Sequence, residues 1–452
     1  MKKNQLIDLT IEAVSSDGNG VGRIDGMVVF VPFTAPGDVL RVKLVKVLKN
    51  YCFGIVQEIL QPSPDRQEDN CPVYHRCGGC CYRHVRYQSE LLWKQQSVAD
   101  NFKRLGGIEL AFEPIVTSGQ SSGYRNKAQY PVAVDEEGRV RIGFFARRSH
   151  RVMHCTDCDL QPAFFAEILD GIAAFIEEKR IPVYDEQTHT GLVRHVYLRH
   201  AETTNETMVC LVLRSAKLPF AEELVDRLRA ICESVCSIVV NVNPRRTNVI
   251  LGEKCVTLYG SDTITDVLCG LKVQLSPLSF YQVNRRGAEL LYQKAAEFAD
   301  LQGNEVLLDL YCGAGTIGLS MARRVKQLVG VEVVAPAVEN ARNNARINGI
   351  DNATFLCDDA AGAVRALEKE GLQPDVVILD PPRKGCGEDV VRTVAAFQPT
   401  KIVMISCNSA TAARDCKLFG ELGYAVKRGA AVDMFARTAH VECVVLLTKG
   451  EQ

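Results

Sequence analysis

Residues 305–322 read EVLLDLYCGAGTIGLSMA: an apolar strand run carrying an aspartate, a turn with two glycines, then a helix-forming stretch. Gly313 and Gly315 permit a tight turn and let a ligand approach the backbone closely. Beyond this stretch the order repeats, because QLVGVEVV, ATFLCDDA, DVVILDPPR and KIVMISCN alternate with helical patterns such as APAVENARNNARINGI. The alternation predicts a mostly parallel sheet covered on both faces, a Rossmann-like α/β fold over 271–452. Ligands of such sheets sit beyond the carboxyl ends of the strands.

The preceding chain differs in texture. Residues 1–60 alternate β-branched runs (MVVFVPF, VLRVKLVKVL) with glycine-rich turns, which predicts a small antiparallel β-barrel of OB-like type. The stretch 61–70, QPSPDRQEDN, reads as a linker. From there to 270 a mixed α+β central domain is expected, combining a cysteine cluster, a helix near QSELLWKQQSVADNFKRL and strands such as LVRHVYLRH and TMVCLVLR. The 452 residues, 47% hydrophobic and 24% charged, suffice for two or three cores. There is no charged-then-apolar leader and no apolar run near the roughly 20 residues of a membrane span, so a cytoplasmic protein without membrane contact is expected.

The strand-to-helix loop serves either a dinucleotide or S-adenosylmethionine. It spells G-A-G-T rather than G-x-G-x-x-G, and Glu332 ends the next strand, where a carboxylate can accept both ribose hydroxyl protons. The deciding stretch is ILDPPRKGC, 378–386, where two prolines after Asp380 rigidly aim the carboxylate and backbone carbonyls across the pocket. That arrangement favours S-adenosylmethionine and a methyltransferase acting on nucleic acid.

A cysteine is most often inert core. Cys407, however, stands at a strand end facing the expected pocket, among Ser406, Asn408 and Ser409. A thiolate there can add to C6 of a pyrimidine, a Michael acceptor, and so make C5 nucleophilic toward a methyl donor. The adduct must then lose its C5 proton. His440 and Glu442, two apart at the start of the final expected strand, are the candidates; Glu442 is taken as the base, its pKa open to elevation by burial, and His440 as a supporting or structural residue.

The 18 cysteines lack the context of a disulfide framework, and most are expected to be free thiols. CPVYHRCGGCC supplies Cys71, Cys77, Cys80 and Cys81, and HCTDCDLQP supplies Cys155 and Cys158. The C-x5-C-x2-C spacing with a distant fourth cysteine suits a four-thiolate site, for which zinc and an iron–sulfur cluster remain equally open.

SPLSFYQVN (276–284), DLYCGAGTIGL (309–319), DPPRKG (380–385), SCNSAT (406–411) and DMFARTAHVE (433–442) together resemble the RNA uracil-5-methyltransferase family over nearly the whole chain. The resemblance implies a class I S-adenosylmethionine-dependent methyltransferase domain, Cys407 as nucleophile, Glu442 as general base, and Gln282, Tyr311, Glu332 and Asp380 around the cofactor. It implies that the barrel is a TRAM domain, an RNA-binding module. It further implies the 23S ribosomal RNA branch, with a [4Fe-4S] cluster on Cys71, Cys77, Cys80 and Cys158; Cys155 is the alternative fourth ligand, and the cluster's role is expected to be structural. The family usually has proline where this chain has Ser409 and Ala436, which removes a φ restraint but no reactive group.

A stacked uridine hides C5, so the base must come from a loop or be flipped out. The formal net charge of −1 excludes a uniformly basic coat. Yet seven basic residues against three acidic ones lie between Tyr124 and Arg151, and GYRNKAQYP and RIGFFARRSHR interleave basic and aromatic side chains, with Arg147 and Arg148 as candidate phosphate contacts. The rivals are a transfer-RNA uracil methyltransferase, whose branch usually lacks the barrel and the cysteine cluster, a cytosine-5 methyltransferase, which would need a Pro-Cys motif, and a non-catalytic iron–sulfur RNA sensor, which would have a decayed site. A monomer with no obligate protein partner is expected.

Overall fold

In LIDLTIEAV, alternation places Ile7, Leu9 and Ile11 on one face of the strand Leu6–Val14 and polar residues on the other. Four further strands, Gly20–Ile24, Met27–Val31, Val39–Val47 and Tyr51–Gln61, close with it into a barrel around Val29, Val31, Leu40, Val42, Leu44 and Cys52. At the barrel's exit Asp38 is fully buried and paired with Arg66 at 2.7 Å. The computed structural model describes residues 1–450.

By compactness the chain divides into two units, 1–121 with 381–392 and 403–452, and 122–380 with 393–402. The first unit contains the barrel, the helix Tyr87–Asn101 and a set of sheet strands. Its strand Glu113–Thr117 runs parallel to Tyr424–Asp433, which forms an antiparallel hairpin with Glu442–Lys449. The strand Lys401–Ser406 neighbours Glu442–Lys449 and leads into the helix Ser409–Glu421; the division between units crosses it after residue 402.

The second unit holds a seven-stranded sheet ordered Lys254–Gly260, Val235–Val242, Glu206–Leu213, Val193–Ala201, Lys127–Val134, Val140–Phe145, Val152–His154. The helices Phe165–Glu178 and Ala221–Ile231 bury their apolar stripes in its core, with Ile168, Ile172, Phe175 and Leu228 against Val196, Leu198 and Leu211. The same unit carries the parallel strands Ala353–Cys357, Gln327–Glu332, Val306–Leu310 and Val376–Leu379, hydrogen-bonded in that order. VLLDL and VVIL are buried throughout, as continuous apolar runs in a doubly covered sheet require.

Strand alternation also corrects one expectation. In GYRNKAQYP the aromatic rings face inward: Tyr124 and Tyr130 are buried, the latter against Phe144 at 5.2 Å, and burial lowers the Lys127 ammonium to about 8. That stretch is core, not a stacking platform.

Candidate functional site

Leu310 lies opposite both Val331 and Leu379 in the parallel ladder, so Tyr311, Glu332 and Asp380 emerge side by side at three adjacent carboxyl ends. Tyr311 has φ 64°, an uncommon left-handed conformation for a bulky residue and of the kind found at functional sites. One oxygen of Glu332 accepts the Gly313 amide at 3.2 Å and the other that of Val334 at 2.9 Å. Asp309, fully buried one residue before the strand ends, accepts the Gly318 amide at 2.9 Å. A Cβ on Gly318 would stand 2.7 Å from that carboxylate, so glycine is what allows the contact.

These acids share one low-dielectric corner. Burial, reinforced by Asp380 and Glu332, pushes the Asp309 carboxyl up to about 7, and burial also takes Asp380 to about 7. Two buried carboxyls whose ionisation is opposed, Asp309 and Asp380, suit a cationic ligand and repel a pyrophosphate.

Gln282 sits in the segment 276–284, which is clamped from beneath. The guanidinium of Arg199, 1% exposed, donates to the carbonyls of Ser276 at 2.9 Å and Ser279 at 2.7 Å. Asn126 donates to the Gln282 carbonyl at 2.9 Å, and the Tyr281 hydroxyl donates to Asp266 at 3.0 Å. Phe280 stays 72% exposed on this held loop. Arg199 escaped the sequence reading because a lone arginine in an apolar strand looks like an edge residue.

In the first unit, Cys407 is half-buried between the strand Lys401–Ser406 and its following helix. Asn408 caps that helix, accepting the amides of Ala410 and Thr411 at 3.1 and 3.4 Å, while its side-chain amide donates to the Arg383 carbonyl at 3.1 Å. A thiol just ahead of a capped helix start gains from the positive end of the helix dipole when it ionises. The Cys443 thiol reaches the Ser406 carbonyl at 3.5 Å, which brings together the segments holding Cys407 and Glu442. Burial raises the Cys443 thiol pKa, and the neighbouring Glu442 and Cys407 raise it further. Glu442 is 6% exposed and pairs with Val432, whereas His440 is exposed, because the strand begins only at Glu442 and two-residue alternation does not extend back to 440.

The loop 433–442 is anchored by a buried ion network that sequence reading missed. The Lys94 ammonium contacts Glu90 and Asp433, each at 2.7 Å, and donates to the Phe435 carbonyl at 3.1 Å. Asp433 also accepts from the Tyr87 hydroxyl at 2.6 Å, and Glu90 accepts the Arg437 amide at 2.8 Å. The only signal in the sequence is the i, i+4 spacing of Glu90 and Lys94, which usually marks an exposed helix face.

Among the described residues no three or more His, Cys, Asp or Glu side chains stand together as a metal-holding group. The turns of 71–81 wrap around buried Tyr74, whose hydroxyl donates to the Cys81 carbonyl at 2.8 Å. The Cys77 sulfur accepts the Gly79 amide at 3.3 Å, Cys80 is buried, and Cys155 donates toward Asp157 at 3.9 Å. The [4Fe-4S] cluster expected on Cys71, Cys77, Cys80 and Cys158 thus finds no support among the described residues.

The basic segment is partly neutralised by itself, since Asp135 pairs with Arg139 at 3.1 Å and with Arg141 at 2.6 Å. Arg147 and Arg148 lie on an exposed turn. On the barrel, Phe30, Tyr51 and Phe53 form a mutual aromatic cluster with ring centroids 5.6–5.8 Å apart. It arises because Phe30 pairs in register with Phe53, a pairing the local alternation alone did not disclose.

Residues 86–450 match the family described as tRNA (uracil-5-)-methyltransferase, and residues 2–56 match the TRAM domain. An uncharacterized RNA methyltransferase of Clostridium tetani is 40% identical over 448 residues, 99% of this chain and 97% of that one. One from Halalkalibacterium halodurans is 41% identical over 448 residues, 99% and 98% of the two chains. The crystal structure of Pyrococcus abyssi tRNA (uracil-54, C5)-methyltransferase in complex with S-adenosyl-L-homocysteine superimposes with a TM-score of 0.78 at 28% identity, covering 98% of this chain and 100% of that one. The class I methyltransferase fold and the barrel read from the sequence are both present.

Asp309 binds its proton more tightly folded than unfolded, so its contribution to stability falls as pH rises from about 3.8 to about 7 and is level beyond. D309N keeps an acceptor for Gly318 and loses this penalty. In urea unfolding of the ligand-free protein, its stability relative to wild type should rise between pH 5 and pH 8 by an amount on the order of a few kcal/mol; an equal difference at both pH values would mean that Asp309 ionises without strain.

Proposed function

The chain belongs to the tRNA (uracil-5-)-methyltransferase family, and within the RNA methylation that S-adenosylmethionine supports there, we propose that it converts a uridine of 23S ribosomal RNA to 5-methyluridine. The observation that carries the chemistry is the approach of the Cys407 and Glu442 segments through the Ser406–Cys443 contact.

In this reading the Cys407 thiolate adds to C6, forming the S–C6 bond and moving the C5–C6 electron pair toward C5 and the C4 oxygen. S-adenosylmethionine, when bound, supplies a methyl group that C5 takes, leaving S-adenosylhomocysteine. Glu442 then removes the C5 proton, the C5–C6 double bond re-forms, and Cys407 leaves as a thiolate. Glu332 holds the ribose hydroxyls, Asp380 and Tyr311 line the cofactor's reactive end, and Gln282 is presented by its clamped loop. No step passes through a metal cluster. The barrel's aromatic cluster suits base stacking, and Arg147 and Arg148 suit phosphate contacts. The protein is taken to act as a cytoplasmic monomer; among the described residues no helix is long and apolar enough to cross a membrane.

A second reading, transfer RNA as substrate, has support in the Pyrococcus abyssi tRNA enzyme, which matches 98% of this chain, so a barrel does not by itself argue for ribosomal RNA. The cysteine spacing of 71–80 is what leans toward 23S RNA, by resemblance alone.

Incubation with S-adenosylmethionine and unmodified 23S, 16S or transfer RNA, followed by nuclease digestion and mass spectrometry, should find 5-methyluridine in 23S fragments; product in transfer RNA alone would establish the second reading. C407A should bind S-adenosylmethionine normally and make no product, while E442Q should accumulate a covalent RNA–protein species that resists denaturing gels. Normal turnover by E442Q would move the base elsewhere. Replacing Arg147 and Arg148 with alanine should flatten the salt dependence of RNA binding by about one log–log unit for each phosphate these arginines neutralise, and an unchanged slope removes them from the footprint.

A further inference from the structure

The helix Tyr87–Asn101 touches both catalytic segments of its unit, one at each end. Near its start, Glu90 and Lys94 are locked to Asp433 and the Arg437 backbone in the loop that leads to Glu442. At its last residue, the Asn101 side-chain amide donates to the Ser409 hydroxyl at 2.8 Å. Ser409 is buried and is the first residue of the helix that follows Cys407 and its cap Asn408.

We propose that Asn101 is a positioning residue for the nucleophile: through Ser409 it fixes the turn bearing Cys407 to a helix whose other end is already fixed to the Glu442 loop. This rests on the reading of Cys407 and Glu442 given above. Within the segment Ser406–Asn408, Ser406 and Asn408 bond each other at 3.1 Å, and it is further tied by the Asn408 contact to Arg383 and the Cys443 contact to the Ser406 carbonyl. Asn101 adds a side-chain tie from this turn to the helix Tyr87–Asn101. The buried ammonium at the helix start keeps that helix from sliding, since moving Lys94 by a turn would strand Glu90 and Asp433.

The physics also supplies a rescue. Position 409 is the first helical residue, where proline is well tolerated because its amide has no helical partner and its φ is preset. Asn408 before it is extended, φ −138° and ψ 94°, as a residue preceding proline should be. A proline at 409 would restrain the turn covalently without needing Asn101.

The test uses the full-length protein and the RNA that proves to be methylated, transcribed with 5-fluorouridine in place of uridine. Fluorine at C5 cannot be removed as a proton, so Cys407 stays bonded to C6 after methyl transfer, and the trapped species reports the steps up to that point. N101A should trap about five-fold more slowly than wild type at saturating RNA and S-adenosylmethionine, the size expected for removing one hydrogen bond, with KM for RNA unchanged. N101A/S409P should return to within about two-fold of wild type. Trapping by N101A at the wild-type rate, a change in KM alone, or failure of S409P to restore the rate overturns the proposal. A wild-type protein that methylates RNA yet never traps the fluorinated transcript overturns instead the assignment of Cys407 on which it rests.

Discussion

An ammonium group sits almost completely out of water between two carboxylates, Glu90 and Asp433, whose side chains are fully buried. Removing three ions from water costs several kcal/mol each unless pairing and hydrogen bonds offset it. Here partners from several segments supply the offset: Tyr87 and the Phe435 amide bond Asp433, and the Arg437 amide bonds Glu90. Arg437, whose guanidinium lies 3.8 Å from Glu90, brings the count to two charges of each sign. Breaking any one pair leaves an uncompensated buried charge, so the arrangement tolerates little displacement. Because Lys94 and Asp433 are far apart in the chain, this balance makes one unit of the first 121 residues and the last fifty or so. The same loop holds Arg437 in the left-handed region at φ 69°, its carbonyl accepting the amides of Cys81 and Tyr82.

The second unit uses charge in the opposite way. Asp309, Glu332 and Asp380 are gathered at strand ends, with backbone amides as partners of Asp309 and Glu332 and no cationic side chain paired to the three among the described residues. The burial that lifts Asp309 and Asp380 toward neutrality, with like charge adding to it at Asp309, is left for a ligand to relieve. A sulfonium and an ammonium on one small molecule would do so, so charge alone favours a cation over an anion at these strand ends.

The sequence displayed the parallel strands, the glycine turn and the strand-end acids because each is local: an apolar run, a turn residue, a carboxylate at a fixed offset. The order of the barrel strands and the Phe30–Phe53 pairing were invisible, since register between strands is not written in either strand alone. His440 was grouped with Glu442 by an alternation that applies only inside a strand, and the strand starts later. The cysteine spacing suggested a metal site, but spacing constrains reach and not convergence, and no metal-holding group stands among the described residues. Ser409 looked like a loosened position when it stood where proline is usual. Its hydroxyl is in fact engaged by Asn101, a residue 308 positions away.

The strand Glu113–Thr117 pairs in parallel with Tyr424–Asp433, Val116 against Val432 and Thr117 against Asp433. During synthesis this early strand and Lys94 leave the ribosome hundreds of residues before their partners exist. At roughly 5–20 residues per second the wait lasts tens of seconds, during which an unpaired strand edge and an unmatched ammonium remain in water. The second unit and the barrel, whose contacts lie mostly within shorter spans, are free to form first. The final hairpin then closes the largest loop in the chain, a slow step set by topology. The loop 433–442 thus cannot be anchored on Lys94 and the strand Glu113–Thr117 until residues 424–449 have been made, however early the rest of the chain folds.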